Sequence, residues 1–339
     1  MERTIGTGGS APAHAAAPGI ALAVPGRLST ASGGYGYARR VLEESAGIGR
    51  RLVHWPLPML SPRPAAAAVE EAFDRLRHAP AGWPLLIDGL ALGTLPAGRL
   101  ADLDAPVVAL VHHPLALEHG LDADTAAWLA DNERAALGAC AGVIATSEAT
   151  ARCLAADYAV SPDRLAVARP GTDRPAMPPM PRASGGPVRL LSVGRIVPRK
   201  GHDVLIDALA RMSPDGDADW RLTILGATDA DPACTGALRA LIARHGLDDR
   251  VRLEGETDRA GVEAAYAEAE IFVLASRLEG YGMAYAEAMA AGLAVVGTET
   301  GAIAEATLGA ARLVPAGDAD ALAAALAPLV ADAGKRAAL

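Results

Sequence analysis

Short apolar runs alternate with longer segments of helical spacing along the first half of the chain. Such runs are typical of strands that a sheet buries on both faces. The runs that predict these strands are residues 20–24, 52–55, 85–87, 107–111 and 143–145. Between them, segments such as 37–46 and 125–137 place apolar residues three and four positions apart, as amphipathic helices do. The alternation predicts βαβ units and therefore a parallel sheet covered by helices.

The second half of the chain repeats this pattern. Its predicted strands are residues 189–193, 221–225, 251–253, 271–274, 294–296 and 312–314. Its predicted helices are residues 202–212, 232–245, 259–269, 283–291 and 319–330. Residues 176–187 separate the two series and are rich in Pro and Gly, which neither continue a helix nor occupy a central strand. We interpret this segment as a linker between two domains.

The pattern predicts an α/β protein with two doubly wound, Rossmann-like parallel-sheet domains that face a cleft. We expect a flexible tail at residues 1–18, which are rich in Gly, Ala and Pro and have no apolar period. An N-terminal domain would follow at residues 19–175, and a C-terminal domain at residues 188–339. Because ligands of open α/β sheets bind at the carboxyl ends of the strands, the cleft is the expected binding site.

Composition and charge exclude some functions. The formal net charge is −9 and aromatic residues make up 4% of the chain, so neither a basic face nor an aromatic platform for nucleic acid is expected. A small anion remains a plausible ligand class, since a few local cations suffice to hold it. All but two of the 31 basic residues are arginine, which draws attention to Lys200 in the body of the chain.

The sequence also bears on location. It has no uninterrupted apolar run of the roughly eighteen residues that a membrane span needs, and no signal-peptide pattern at its start. The three cysteines form no CxxC pair, which is typical of reduced thiols in the cytosol. We therefore expect a cytoplasmic protein, and peripheral contact with a membrane stays open.

The turn after the first strand of the second series contains the first candidate chemistry. It runs from Gly194 and Arg195 to Lys200 and Gly201, just before the predicted helix 202–212. The spacing of its glycines is not that of a Walker A loop. It nevertheless places cations where a helix N-terminus already favours an anion. The alternative is an ordinary turn with solvated charges.

A second candidate segment surrounds the start of the predicted helix 283–291. Glu279 precedes Gly280 and Gly282, which allow a ligand to approach the backbone, and the helix start offers unpaired N–H groups to a phosphate. Glu287 follows one turn into the helix. One carboxylate would then address a sugar and the other a ribose beyond the diphosphate. The alternative is an Ala-rich helix with a solvated Glu.

Together with their spacing, these segments resemble the retaining glycosyltransferases of family 4 (glycosyl transferases group 1), which are nucleotide-sugar enzymes with the two-domain GT-B fold. The resemblance covers most of residues 187–330. Its landmarks are Gly194, Arg195, Lys200, Gly201, Leu225, Gly226, Gly255, the Tyr266 to Ser276 run, the Glu279 to Glu287 spacing, Gly292, and Gly301 to Glu305.

The first domain resembles the family less closely. Gly33 and Gly34, after the first strand, look like the family's glycine loop near the diphosphate and acceptor. His112 and His113 follow strand 107–111, where the family has a histidine near the donor sugar. We favour His112 of the two, because it ends the strand.

The resemblance implies a role for each matched residue. Arg195 and Lys200 would hold the donor diphosphate, Glu279 the sugar hydroxyls and Glu287 the ribose. The full implied donor site is Gly33, Gly34, Gly194, Arg195, Lys200, Glu279, Gly280, Tyr281, Gly282, Met283, Ala284 and Glu287. The implied catalytic residues are His112, His113, Glu279, Arg195 and Lys200.

The implied activity is transfer of a hexosyl group from a nucleoside-diphosphate sugar, with UDP favoured over GDP, to an unidentified acceptor hydroxyl. Neither a cofactor nor a metal site is expected. A nucleotide-sugar 2-epimerase of the same fold and a non-catalytic binding subunit remain alternatives. A phosphorylase would need a cofactor lysine, and Lys200 is better placed for phosphate. An NAD-dependent oxidoreductase is disfavoured, because G-x-G-x-x-G is absent after the first strand.

Overall fold

A computed structural model of the protein describes residues 19–60, 62–176, 186–212 and 219–339. The predicted tail and residues 177–185 of the predicted linker lie outside the described residues. The domain limits given above therefore stay predictions.

The N-terminal half forms a parallel sheet of six strands in the order β2-β1-β3-β4-β5-β6. The strands are β1 (Ile20–Pro25), β2 (Leu52–Leu57), β3 (Leu85–Asp88), β4 (Val107–Val111), β5 (Gly142–Ala145) and β6 (Leu165–Val167). The helices are α1 (Gly33–Ser45), α2 (Ala66–Arg77), α3 (Gly89–Leu92), α4 (Ala97–Ala101), α5 (Ala123–Ala139) and α6 (Glu148–Asp157). Short 3₁₀ turns occupy Leu115–Leu117 and Pro162–Arg164.

The C-terminal half forms a second parallel sheet of six strands, in the order β12-β11-β10-β7-β8-β9. The strands are β7 (Val188–Val193), β8 (Trp220–Leu225), β9 (Val251–Gly255), β10 (Ile271–Val273), β11 (Ala294–Thr298) and β12 (Arg312–Val314). The helices are α7 (His202–Met212), α8 (Pro232–Arg244), α9 (Arg259–Glu268), α10 (Met283–Ala290), α11 (Ile303–Ala306), α12 (Ala319–Ala331) and α13 (Ala333–Ala338). A 3₁₀ turn, Pro198–Lys200, precedes α7.

The predicted fold class, with two doubly wound parallel α/β sheets, is confirmed. The structure adds β6, which the apolar pattern does not indicate because this short edge strand is only half-buried. It also begins α1 at Gly33 rather than at residue 37. Gly33 and Gly34 therefore lie in the first turn of a helix instead of in a loop before it.

Aliphatic residues build the core of each half. Few aromatic side chains join them: Phe73 lies in the N-terminal core, and Phe272 lies in one core of the C-terminal half. Both are fully buried. In the described parts of the chain, no helix combines the length and apolar character that a membrane crossing requires.

Glu133, in α5, is a buried carboxyl that holds the chain just after β4. One of its oxygens accepts a hydrogen bond from the backbone N–H of Leu115 at 2.9 Å. The other has no partner among the described residues. Burial raises the pKa of Glu133 to about 8, although the Leu115 N–H opposes the rise. A mostly neutral carboxyl therefore anchors the segment that follows His112 and His113.

We expect Glu133→Gln to flatten the dependence of stability on pH. An unfolded glutamate ionises near pH 4.3, whereas the pKa of folded Glu133 is about 8. Between these values the unfolded state binds fewer protons, so the free energy of unfolding of the wild type falls as pH rises. Gln does not titrate, so the variant lacks this contribution. Its free energy of unfolding, relative to that of the wild type, should therefore rise by up to about 1.4 kcal/mol per pH unit.

Denaturant unfolding of both proteins at about pH 5, 6.5 and 8 measures this gain. The other titrating groups are common to both proteins, so their contributions cancel in the difference. A difference in unfolding free energy that does not change with pH would contradict the burial argument.

Candidate functional site

The predicted site residues lie at the carboxyl ends of the two sheets, where the two halves of the chain meet. His112 and His113 directly follow β4, and Gly194 directly follows β7. Glu279 and Gly280 lie between β10 and α10. Parallel strands end at one edge of a sheet, so each sheet brings its turns together.

The N-terminal half contributes a histidine packed against a helix start. A Cβ on Gly34 would lie 3.3 Å from Nε2 of His112, so the first turn of α1 rests on the imidazole ring. The ring of Tyr37 meets the same imidazole edge-on, with centroids 5.6 Å apart. Nε2 of His112 also lies 3.3 Å from Oδ2 of Asp88, at the end of β3.

His113 belongs to a different group of charges. Its Nε2 lies 3.4 Å from Oε2 of Glu118, whose other oxygen accepts a hydrogen bond from Nε of Arg199 at 3.0 Å. Burial raises the pKa of Glu118, but the hydrogen bond to His113 and the charge of Arg199 outweigh it and lower this pKa to about 2. Glu118 is therefore an anion that links the N-terminal half to the turn before α7.

Lys200 and Glu279 form a buried ion pair in the C-terminal half. Nζ of Lys200 lies 2.5 Å from Oε1 of Glu279, which also accepts a hydrogen bond from Ser276 at 2.7 Å. Burial alone would raise the pKa of Glu279, but the charges of Lys200 and Arg199 lower it below its usual value. The buried carboxylate is thus ionised and surrounded by cations.

Two glycines in and near the turn after β7 allow neighbouring atoms to lie very close to the backbone. A Cβ on Gly194 would lie 3.2 Å from Cε of Lys200, so the lysine stem packs over this glycine. A Cβ on Gly226 would lie 2.2 Å from the carbonyl oxygen of Gly194. The half-buried guanidinium of Arg195 makes no ion pair or side-chain hydrogen bond with any residue in the described ranges, which leaves it available to a ligand.

The two halves touch backbone to backbone at Gly280. A Cβ on this residue would lie 2.1 Å from the carbonyl oxygen of His112. The carbonyl oxygen of Gly280 accepts a hydrogen bond from Oγ of Ser147, at the start of α6, at 2.7 Å. The hydroxyl of Thr150 donates to the carbonyl oxygen of His112 at 3.1 Å. The main chains of Gly280 and His112 therefore lie in close contact, and side chains of α6 and its N-cap hold both carbonyl groups.

The start of α10 faces the start of α1. A Cβ on Gly33 would lie 3.4 Å from Sδ of Met283, the first residue of α10. Gly282 precedes the helix with φ +99°, and no side chain among the described residues caps it. The half-buried Tyr281 occupies the bend before Gly282. The first amides of α10, at Met283 and Ala284, are thus free to meet an anion.

Glu287, one turn into α10, has a separate partner. The hydroxyl of Tyr266 lies 3.0 Å from Oε2 of Glu287 and 3.1 Å from the carbonyl oxygen of Ala284. Burial raises the pKa of Glu287, and the hydrogen bond from Tyr266 opposes the rise. Tyr266 therefore holds the second carboxyl of the predicted pair against its helix.

The structure brings most predicted site residues together and adds others. Gly34, His112 and Gly280 form one cluster, and Lys200 and Glu279 form a neighbouring pair. Sequence reasoning assigned no role to Asp88, Glu118, Ser147, Arg199 or Tyr266. Sequence signals pointed to three of them: Asp88 directly follows predicted strand 85–87, Arg199 lies inside the cationic turn, and Tyr266 begins one of the family landmarks.

No group of three or more His, Cys, Asp or Glu side chains in the described parts of the chain is arranged to hold a metal ion.

Comparison with known families covers both halves. The family model "Glycosyltransferase Family 4" matches residues 29–174, and the model "Glycosyl transferases group 1" matches residues 187–332.

Curated relatives match part of the chain. An MMP alpha-(1->4)-mannosyltransferase of Mycolicibacterium hassiacum is 29% identical over 248 residues, which is 68% of this chain and 58% of that protein. A D-inositol 3-phosphate glycosyltransferase of Jonesia denitrificans is 31% identical over 48% of this chain and 42% of that protein. The chain thus matches about half the length of these curated relatives.

Solved structures match nearly the whole chain in fold. The sucrose-phosphate synthase of Thermosynechococcus elongatus superposes with a TM-score of 0.72 at 20% identity, covering 94% of this chain and 91% of that one. Anabaena HepE in complex with UDP and glucose gives a TM-score of 0.70 at 18% identity, covering 94% and 92%. The two sheets, the paired family models and these superpositions agree: this chain belongs to the family 4, group 1 glycosyltransferases and has the GT-B fold.

Proposed function

We propose that this protein is a glycosyltransferase that moves a hexosyl group from a nucleoside-diphosphate sugar to an acceptor hydroxyl with retention of configuration. A UDP-sugar is favoured over a GDP-sugar. The observation that carries the proposal is the meeting of the Lys200–Glu279 pair and Gly280 with His112 across the two halves. The acceptor is unidentified.

The diphosphate would bind between the cationic turn and the start of α10. Arg195 is free of ion pairs within the described residues, and Lys200 and Arg199 lie beside it in the same turn. The uncapped amides of α10 offer the dipole end that favours an anion. Such preorganised charges stabilise the negative charge that builds up on a leaving diphosphate. The proposal therefore assigns the chemistry to the chain alone, without a metal or cofactor.

The two carboxylates would divide the donor between them. Glu279 lies beside Lys200 and adjoins Gly280, which contacts His112, so its place suits the transferred hexose. Glu287 lies one turn along α10, beyond the amides that would hold phosphate, which suits the ribose. HepE, with which this chain shares its fold, was solved with UDP and glucose, and this supports the choice of UDP.

The proposed step exchanges one bond at the anomeric carbon. The bond between this carbon and the diphosphate oxygen breaks, and its electron pair leaves with the diphosphate. The acceptor oxygen forms the new bond on the same face, and its proton passes to the departing phosphate oxygen. Arg195, Lys200 and the α10 amides stabilise the charge of the leaving group, while His112 and Glu279 orient the hexose.

Hydrolysis of UDP-hexoses in excess EDTA tests this function. With water as the acceptor, we expect slow release of UDP, and NMR should show that the first-formed hexose keeps its anomeric configuration. Lys200→Met should weaken UDP binding by about ten- to a hundredfold, because a hydrogen bond to a charged group contributes roughly 1.5–3 kcal/mol.

Lys335→Met is the matched control, since it removes the other lysine from an exposed position in the first turn of α13. It should leave UDP affinity unchanged. Inversion of the anomeric carbon, or complete loss of UDP binding in EDTA, would contradict the proposal. A hexose that is released with an altered C2 configuration would favour the 2-epimerase instead.

Substitution of each carboxylate should separate the two halves of the donor site. Glu279→Gln should lower kcat while calorimetry shows no loss of affinity for free UDP, because UDP lacks the hexose and Lys200 is freed for the phosphate. Glu287→Gln should weaken UDP and UDP-hexose alike, since both carry the ribose. A contact strengthened in the transition state appears in kcat, whereas uniform binding appears in KM.

The reverse pattern would overturn this assignment. If Glu279→Gln abolishes UDP binding while Glu287→Gln leaves it intact, the two carboxylates have exchanged roles.

A further inference from the structure

Asp88 lies next to His112, and the proposed function assigns it no role. It is the last residue of β3, which pairs with β4, and His112 follows the end of β4. Asp88 is only 2% exposed. A buried carboxylate at the carboxyl end of a strand in the cleft needs partners, because an unpaired buried charge is costly.

Each carboxyl oxygen of Asp88 has its own partner. Oδ1 accepts a hydrogen bond from the backbone N–H of Leu90 at 2.9 Å and so caps the short helix α3. Oδ2 faces Nε2 of His112 at 3.3 Å. Since a carboxylate accepts hydrogen bonds and does not donate them, Nε2 of His112 must carry the proton in this contact.

Neighbouring residues restrict rotation of the His112 ring away from Asp88. The first turn of α1 lies against Nε2 at Gly34, and the edge-on ring of Tyr37 forms a side wall. The side chain of His112 remains 19% exposed, and its Nδ1 makes no hydrogen bond within the described residues. In a neutral ring protonated at Nε2, Nδ1 is the acceptor.

We propose that Asp88 is a positioning residue that fixes His112 as the Nε2–H tautomer and leaves Nδ1 as a hydrogen-bond acceptor for a hydroxyl of the bound hexose. The tautomer follows from the Asp88 geometry alone, whereas the hexose contact rests on the proposed function. Asp88 acts through the histidine and does not itself touch the sugar. Orientation of an imidazole by a carboxylate on its other nitrogen is an established way to set its role.

The substitution Asp88→Asn tests the proposal, because the two oxygens of Asp88 have different tasks. Asn is as good an N-cap as Asp, so its oxygen should stay on the Leu90 N–H. Its NH₂ group must then face Nε2 of His112, where two donors would meet. The ring should respond by moving its proton to Nδ1, which removes the acceptor from the hexose side.

Long-range ¹H–¹⁵N correlation spectra of the free protein, at a pH where the ring is neutral, report the tautomer directly. The signals of His112 are assigned by their loss in His112→Asn. We expect Nε2–H in the wild type and Nδ1–H in Asp88→Asn. With a UDP-hexose, kcat of Asp88→Asn should fall about ten- to a hundredfold with little change in KM.

Asp231→Asn is the matched control, because Asp231 caps α8 in the same way, through the Cys234 N–H, and its described contacts include no histidine. Both variants should melt like the wild type. An Nδ1–H ring in the wild type, or an Nε2–H ring in Asp88→Asn, overturns the tautomer assignment. A switched tautomer with unchanged kcat overturns the role in catalysis.

The same experiments distinguish failure of this proposal from failure of the proposed function. If the wild type turns over no nucleotide sugar but the spectra show the predicted switch, the Asp88–His112 arrangement stands and the assignment as a transferase falls.

Discussion

The close approach of two main chains at Gly280 is the constraint on which the site depends. A side chain there would meet the carbonyl oxygen of His112 at 2.1 Å, so the two halves touch at this point only because the residue has no Cβ. Ser147 reinforces the contact by donating to the Gly280 carbonyl. Glu279, the residue before this glycine, is thereby brought toward the histidine of the other half. The proposed donor-side carboxylate and the histidine thus fall in one candidate site.

The charged side chains of the turn before α7 determine which ligands suit this site. Three basic side chains gather in the turn before α7, and two of them are matched by carboxylates: Lys200 by Glu279, and Arg199 by Glu118. Buried ion pairs bring little net stability, because desolvation offsets most of their attraction. Under the proposed function, these pairs keep the cations ordered until the anionic donor binds. Arg195 makes no ion pair in the described residues, so under the proposed function it is the cation that can bind a diphosphate without first losing a carboxylate partner.

The sequence predicts the strands and helices better than it predicts the side-chain contacts of the site, for physical reasons. Apolar runs such as the one that forms β4 identify buried strands, because both faces of a parallel sheet exclude water. The glycines and charges of the two turns predict the proposed donor side. The partnership of Asp88 with His112 and of Glu118 with Arg199 depends on which loops the fold makes neighbours, and no local pattern encodes that. The start of α1 at Gly33 was missed for a related reason, since glycine has low helix propensity and tertiary packing decides.

Turnover of a UDP-hexose by Gly280→Ala tests the central claim most directly, with Gly236→Ala as its control. A Cβ on Gly236, an exposed residue of α8, would meet no atom of the described residues within 4 Å, so this change should leave turnover and folding intact. In Gly280→Ala the new methyl group must push the Glu279 segment away from His112, and we expect transfer to be lost while circular dichroism shows both sheets and their helices intact. Wild-type turnover in Gly280→Ala would contradict the account, because the site would then not require the two halves to meet at that glycine.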